Sequence, residues 1–420
     1  MRIIANELKK IWRVKILAII FFLCAAYFML FMNHYIVWYP RGTWGGGVDF
    51  AHHLTENYGA TLSQEDFEDF LTYREVIASE MDLFIASNPV FAEAGIHDFQ
   101  SYEAFRVDSD YRYETLNESE RSLRYALFLE LGFIVRSEFI REGETVDLTS
   151  DNETPIAYLR IFNFDAMVGR YQMNILGETE WDSWIDSFME YAPLSERELQ
   201  RLIEIRDSGE LLNIMPQPTT EQTQEYARSL AVLVIFVTLI LVSPLITTDR
   251  ANKVNRLQYS SRQGRNILKK QFTAIIISAV IMTTMLVIVF AGVFGISTEV
   301  HAFWNNGINS FLSGAFHWLS ITFGQYVLLL IGLIYLLSIG TAAFAFVLSR
   351  FSQNMIKLLF KIIPLFIATI LLSNWILTDF LVIYFGSNVH MQMLSLVFSL
   401  IAGVVIAIII LHRERRVELI

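Results

Sequence analysis

Apolar and polar positions along this chain fall into long blocks rather than short alternations. Apolar runs occupy 16–38, 226–247, 272–296, 318–348, 358–378 and 391–411. About 30 Å of hydrocarbon takes roughly 20 helical residues to cross, so each run predicts a transmembrane helix. The fourth is long enough to tilt or break. The first is followed by "NHYIVWYPRG", with no small-residue cleavage pattern, and reads as a retained anchor rather than a signal peptide.

The polar block 39–225 interrupts this pattern and carries its own helix starts. Ser63 precedes Gln64-Glu65-Asp66-Phe67, an N-cap with an acid at the third helical position, and apolar Phe67, Phe70, Leu71, Ile77, Met81, Phe84 and Ile85 then trace one helical face. Ser195 with Glu198 repeats the device, and Asn117 with Glu120 is a weaker version. "TWGGG" at 43–47 and "PQPTT" at 216–220 punctuate the two places where the block meets the apolar runs. The expected architecture is an α-helical polytopic membrane protein, with six transmembrane helices and a mainly α-helical extracellular domain inserted between the first and second. The single cysteine, Cys24, lies in the first run, so that domain must build its own core without disulfides.

Charge orients the chain. It is 54% hydrophobic yet has a net charge of −11. All eight lysines flank apolar runs, and 39–225 holds none. The segments 1–15, 248–271, 349–357 and 412–420 are basic, and they alternate as the positive-inside rule requires when both termini are cytoplasmic. The block 39–225, the loop 297–317 and the segment 379–390 then face outward. Ile4, Leu8, Ile11 and Trp12 recur at helical spacing opposite Lys9, Lys10 and Arg13, the pattern of a helix lying in the cytoplasmic interface.

Catalytic chemistry finds no support. Phosphate-binding Gly-rich loops, His-Glu-x-x-His, Cys-x-x-Cys and Gly-x-Ser-x-Gly are all absent. His52-His53 beside Asp49 reads as a polar turn, and Glu65, Asp66, Glu68 and Asp69 as a helix start favoured by the dipole, not a cation loop. The two Asn-x-Ser/Thr triplets, at Asn117 and Asn152, are too short to assign. No metal and no cofactor is expected on this chain, and no nucleic-acid partner. The apolar runs carry hydroxyls and amides such as Thr238, Ser243, Thr283, Thr284, Gln325, Ser338 and Asn374, with almost no ionisable group to relay protons. Energy for any transport must then arrive through another subunit.

The loop 248–271 offers a place for it. Pro244 is expected to end the second span, and Asp249 and Arg250 to begin a short helix with Val254 and Leu257 on one face, before "SSRQGR" turns the chain back. Such a helix, held at the ends of two membrane helices, docks its apolar face on a cytosolic partner while its cations pair with that partner's acids. The plainer alternative is a basic loop touching lipid headgroups.

In this loop the chain resembles the ABC-2-type permease subunits of bacterial ABC transporters, in the low-GC Gram-positive branch with a large external domain. Members commonly show an acid, a leucine, a YSS-(K/R)-x-GR turn and a lysine. Asp249, Leu257, Tyr259, Ser260, Ser261, Arg262, Gly264, Arg265 and Lys269 or Lys270 match, with Asp249 in place of the family's glutamate. The resemblance covers the whole chain in architecture and only this loop in motif. It implies a subunit without its own ATPase and a second permease, identical or sibling. It also implies ATPase subunits, carrying ATP and Mg, docked on the loop. The translocation path would lie at the permease interface along the second and fifth spans, which contribute Thr238, Ser243, Ser373, Asn374 and Trp375. Members export peptides, antibiotics, lipids or glycans, or give resistance to antimicrobial peptides. Two other readings stay open: an ATPase-driven lever that signals through the external domain, and a receptor or scaffold with no ATPase.

Overall fold

The computed structural model describes residues 2–39, most of 48–104, isolated positions between 164 and 185, and 194–252, 267–383 and 389–416. Among the described residues there is no strand, only three isolated bridges. The helices of eight residues or more are α1 (Arg2–Ile11), α2 (Val14–Val37, with a π turn at Phe28–Met32), α3 (Val48–Tyr58), α4 (Gln64–Ser87) and α5 (Glu196–Asp207). They continue as α6 (Gln217–Val242), α7 (Pro244–Ala251), α8 (Ile267–Thr298), α9 (Phe323–Arg350), α10 (Met355–Leu377) and α11 (Val389–Arg416).

Among the described residues five helices are long and apolar enough to cross a membrane: α2, α6 with α7, α8, α9 and α10. Burial decides their arrangement. The most apolar stretch of α6 is 78% buried, against 11% for α2 and for α10, so α6 is the centre of the bundle and those two lie at its edge. A helix apolar on every face is stable only where neighbours or lipid surround it. Accordingly α6 packs against α9, α10, α8 and α2, and α11 closes on α9 and α10. On α8, Ala274, Ile275, Ala279, Met282 and Leu286 face inward, while Ile281, Met285, Ile288 and Val289 face out. An outward apolar face on a helix of this length is what lipid solvates. Small residues bring α11 close to α9: a Cβ added at Gly403 would lie 3.3 Å from the Gly340 carbonyl oxygen.

The inserted domain begins as its caps predict. Ser63 Oγ accepts from the Asp66 amide (3.2 Å), and Ser195 and Glu198 form a full capping box. Phe67, Phe70, Ile77, Met81, Phe84 and Ile85 are buried, whereas Leu71, placed on the same face by spacing, is exposed. The Asn117 cap, both Asn-x-Ser/Thr triplets and "TWGGG" lie outside the described residues.

Among the described residues, the apolar core of the domain extends beyond 39–225 into a neighbouring connection. Its aromatic cluster of Phe50, Phe70 and Phe164 continues through the stacked pair Phe67–Tyr171 to Phe311, which belongs to the connection between α8 and α9. That connection, 299–322, is a latch. Asn306 donates to the Ile214 carbonyl (2.5 Å), the Gly307 amide to Asn213 Oδ1 (3.1 Å), Ser310 Oγ to the Asn213 carbonyl (2.6 Å) and the Gly314 amide to Gln217 Oε1 (2.7 Å). Glu210 collects Asn309 (2.6 Å), Ser320 (2.8 Å) and Arg201 (3.0 Å). Residues 380–383 seal the far side, with the Trp318 amide bonded to the Leu381 carbonyl and the Ile383 amide to that of Phe316. Glycine is needed where the backbone presses closest: a Cβ on Gly307 would sit 2.5 Å from the Asn213 side chain.

Several boundaries move for identifiable reasons. The second span starts at Gln217 rather than 226, because Pro216 caps it and Pro218 occupies its first turn, where a missing N–H is harmless. The fourth starts at Phe323 rather than 318, set by the Thr322–Gln325 capping box, so Gln325 is a cap rather than an intramembrane amide. Pro244 opens α7 instead of ending the span, which leaves Asp249 and Arg250 in the last turn of that helix, not the first turn of another.

Acid should loosen the latch. His317 is fully buried with Nδ1 unpartnered, and burial pushes its pKa down to about 4. The unfolded chain takes up that proton near pH 6.5, so the contribution to stability is present above 6.5 and is lost between 6.5 and 4. For Glu210 burial opposes the charge, but Asn309, Ser320 and Arg201 outweigh it and hold the carboxyl below its ordinary range. Its contribution is present above about 4.5 and fades as pH falls further. We expect the melting temperature of the purified chain to fall from pH 7 to 4, and His317→Phe to flatten the part above 4.5. An unchanged slope in that variant contradicts the assignment.

Candidate functional site

At the end of the bundle opposite the latch, the side chains of Glu7, Lys10, Asp249 and Gln271 meet. Its Nζ lies 2.9 Å from Glu7 Oε1 and 2.9 Å from Asp249 Oδ2, and Gln271 Nε2 donates to Asp249 Oδ2 (2.9 Å) and Glu7 Oε2 (3.2 Å). Three elements contribute: α1 supplies Glu7 and Lys10, the last turn of α7 supplies Asp249, and the first turns of α8 supply Gln271. Glu7 is 3% exposed and Asp249 6%. Two buried carboxylates are tolerated here because one ammonium and one amide between them satisfy both. Burial works against the Lys10 charge, but the hydrogen bonds and fields of Glu7 and Asp249 prevail and leave its pKa raised.

Neighbouring contacts turn this cluster into a bracket. The apolar side of α1 packs on α8, with Ile11 buried and Trp12 Nε1 bonded to Ser278 Oγ (3.0 Å). Ile4, Leu8 and Trp12, the rest of that face, are half-buried against the same bundle. On the other flank Arg250 donates to the carbonyl of Arg350, the last residue of α9, and to that of Ser352 just beyond it; the last carbonyls of a helix have no donor within it. Lys361 caps the Phe351 carbonyl (3.0 Å), and Asn354 Oδ1 accepts from the Lys357 amide (2.9 Å) to start α10. Both ends of the 253–266 segment therefore leave from fixed points, Asn252 and Ile267.

The residues singled out from sequence are distributed unevenly around this bracket. Asp249 and Arg250 are inside it as braces; Lys269 and Lys270 stand on the first turn of α8. Val254, Leu257, Tyr259, Ser260, Ser261, Arg262, Gly264 and Arg265 lie outside the described residues. Of the residues proposed for a translocation path, Thr238 is in the bundle core, sharing a hydroxyl chain with Ser338 (3.1 Å) and, through it, Thr283 (2.8 Å). Ser243 is buried, its carbonyl accepting from Ser349 Oγ (3.1 Å). Ser373 is buried, Asn374 half-buried, and Trp375 points outward at 51% exposure.

Glu7 and Gln271 were not singled out by sequence. Glu7 had a detectable mark: it is the one acid in the first 48 residues, a turn before Lys10. Gln271 had none, being a single amide at the edge of an apolar run. Among the described residues no cluster of His, Cys, Asp or Glu has the makings of a metal site.

The bracket predicts an energetic signature. Lys10→Met or Asp249→Leu alone should lower stability by about 1–3 kcal/mol, since each strands a partner, and Lys10 is partly exposed, which tempers the loss. Made together with Glu7→Gln, the two changes should cost less than the sum of the singles. Strict additivity in thermal melts would show that the groups do not interact. No protein-family model, characterised protein or solved structure is significantly similar to this chain.

Proposed function

We propose that this chain is the permease subunit of an ATP-driven ABC exporter of the ABC-2 type, moving a peptide, antibiotic or lipid-like substrate out of a bacterial cell or giving resistance to one. A separate ATPase, carrying ATP and Mg, docks on 248–271, and a second permease completes the transporter. In this reading α11, 28 residues and about 42 Å long, is the sixth span, both termini are cytoplasmic, and 39–225 is extracellular.

One observation supports the reading most. The segment with the family-like motif is anchored at both ends by buried, charge-assisted contacts. A loop that only touched headgroups would gain nothing from such rigidity. A loop pushed by a partner needs it, because force is transmitted only where the contact does not yield. The cations Lys269 and Lys270 flank that segment and suit an acidic partner surface.

A second reading, ATPase-driven signalling through the inserted domain, is favoured by the latch. Its hydrogen bonds tie the domain to the connection between α8 and α9, so a helix movement at the bracket is carried into the domain.

Two experiments test these readings. Single cysteines at Ser150 and Ser261, in a chain lacking Cys24, should differ toward an impermeant thiol reagent on intact cells, with Ser150 labelled. Labelling at Ser261 alone would reverse the orientation. Leu257→Ala with Arg262→Glu and Arg265→Glu should leave a folded permease that loses its ATPase on purification or loses substrate-stimulated turnover. Normal association and coupling would refute docking here, and intact ATPase turnover without efflux would favour signalling.

A further inference from the structure

Helix α4 of the inserted domain carries a second stripe on the side opposite its buried row. Thr72, Val76, Ser79, Leu83 and Ala86 recur there at alternating spacings of four and three. All five are exposed, Val76 at 50% and Leu83 at 73%. The two hydroxyls on the stripe are turned back on their own helix: Thr72 Oγ1 donates to the Asp69 carbonyl (2.7 Å) and Ser79 Oγ to the Val76 carbonyl (2.7 Å). What the stripe presents outward is therefore hydrocarbon.

Alternation of four and three is the repeat by which one helix seats another. Val76 and Leu83 share one seam position, and the small Thr72, Ser79 and Ala86 share the other, leaving room for larger side chains from a partner. The row beside the seam, Glu68, Glu75 and Asp82, recurs every seven residues and is wholly acidic. Flanking rows of this kind select the partner by charge. Solubility alone would account for the acids, but it would set polar side chains, not Val76 and Leu83, on the face turned away from the core. A second copy of the same face would bring acid against acid. The surrounding block 39–225 reinforces the sign, with 37 acidic residues against 13 arginines and no lysine, and its field draws cationic partners in.

We infer that this face of α4 docks a cationic amphipathic helix of another polypeptide. The large apolar residues of that helix sit over Thr72, Ser79 and Ala86, and its cations lie beside Glu68, Glu75 and Asp82. Docking requires the face to be accessible and requires no ATPase, so it stands apart from the transporter reading.

The test uses the full chain in phosphatidylcholine nanodiscs, with empty nanodiscs as the blank. The probe is a fluorescent synthetic peptide of three heptads, with Leu at both seam positions, Lys in both flanking rows and Gln elsewhere; its control carries Glu in place of Lys. We expect the cationic peptide to bind, the acidic one not to, and hydrogen exchange to slow within 64–87. Val76→Glu with Leu83→Glu adds two negative charges while removing the apolar seam, and should weaken binding about tenfold. Glu68→Gln with Glu75→Gln should weaken it about threefold to tenfold and flatten its salt dependence. Asp82 is left intact because it also accepts from the Phe99 amide (2.7 Å). Binding that is undiminished or strengthened in Val76→Glu with Leu83→Glu would reveal attraction by charge alone and overturn the proposal. So would equal binding of the acidic peptide, indifference to the Gln variant, or absence of protection in 64–87 of the native chain. A dimer of the chain that is lost on Val76→Glu with Leu83→Glu would give the face to a second copy and overturn it as well.

Discussion

Everything in this molecule is arranged around the difficulty of keeping polar groups inside an apolar bundle. Helix α6, with its continuation α7, runs 35 residues through the middle, about 50 Å, and its apolar stretch is mostly buried. Among the described residues three polar clusters line this rod: the latch at one end, the Thr238–Ser338–Thr283 hydroxyl chain in the middle and the Glu7–Lys10–Asp249–Gln271 cluster at the other. Each recruits a different set of neighbours, and together they place α1, α8, α9 and the inserted domain. Hydrophobic burial supplies attraction without direction; these polar knots fix rotation and depth.

This explains why some of the design was readable in the sequence and some was not. The apolar runs declared themselves, because a helix surrounded by lipid or other helices has no polar face to confuse the pattern. So did the caps at Ser63 and Ser195, where the chemistry is local and the spacing is fixed. Asp249 was readable as important but not in its role. The motif placed it at the start of a docking helix, and its partners, Lys10 and Gln271, are 239 and 22 residues away. Residues 297–317 read as a plain connection because their Asn, Ser and Gly composition matches any solvated loop. Only the partners at 210–217 show that those side chains are buried. Burial of polar groups is a tertiary property, and a single sequence does not record it.

The same arithmetic gives the candidate site its character. Charges held in pairs and capped carbonyls make the ends of 253–266 stiff without making them hydrophobic, which suits a surface that has to be pushed. The inserted domain, which shares its core with 303–316, is stiffly joined at the other end of the rod. A displacement at either end has little slack to absorb it, except at Ser243–Pro244, where α6 gives way to α7.

Hydrogen exchange on the intact chain in lipid nanodiscs, native against Asp249→Asn, addresses this continuity most directly. Loss of the buried charge should speed exchange in 2–11 and 267–272 and also, at the far end of the rod, in 306–322. Acceleration confined to 2–11, 245–252 and 267–272, with 306–322 unchanged, would contradict the account: the bracket and the latch would then be two separate devices on one bundle.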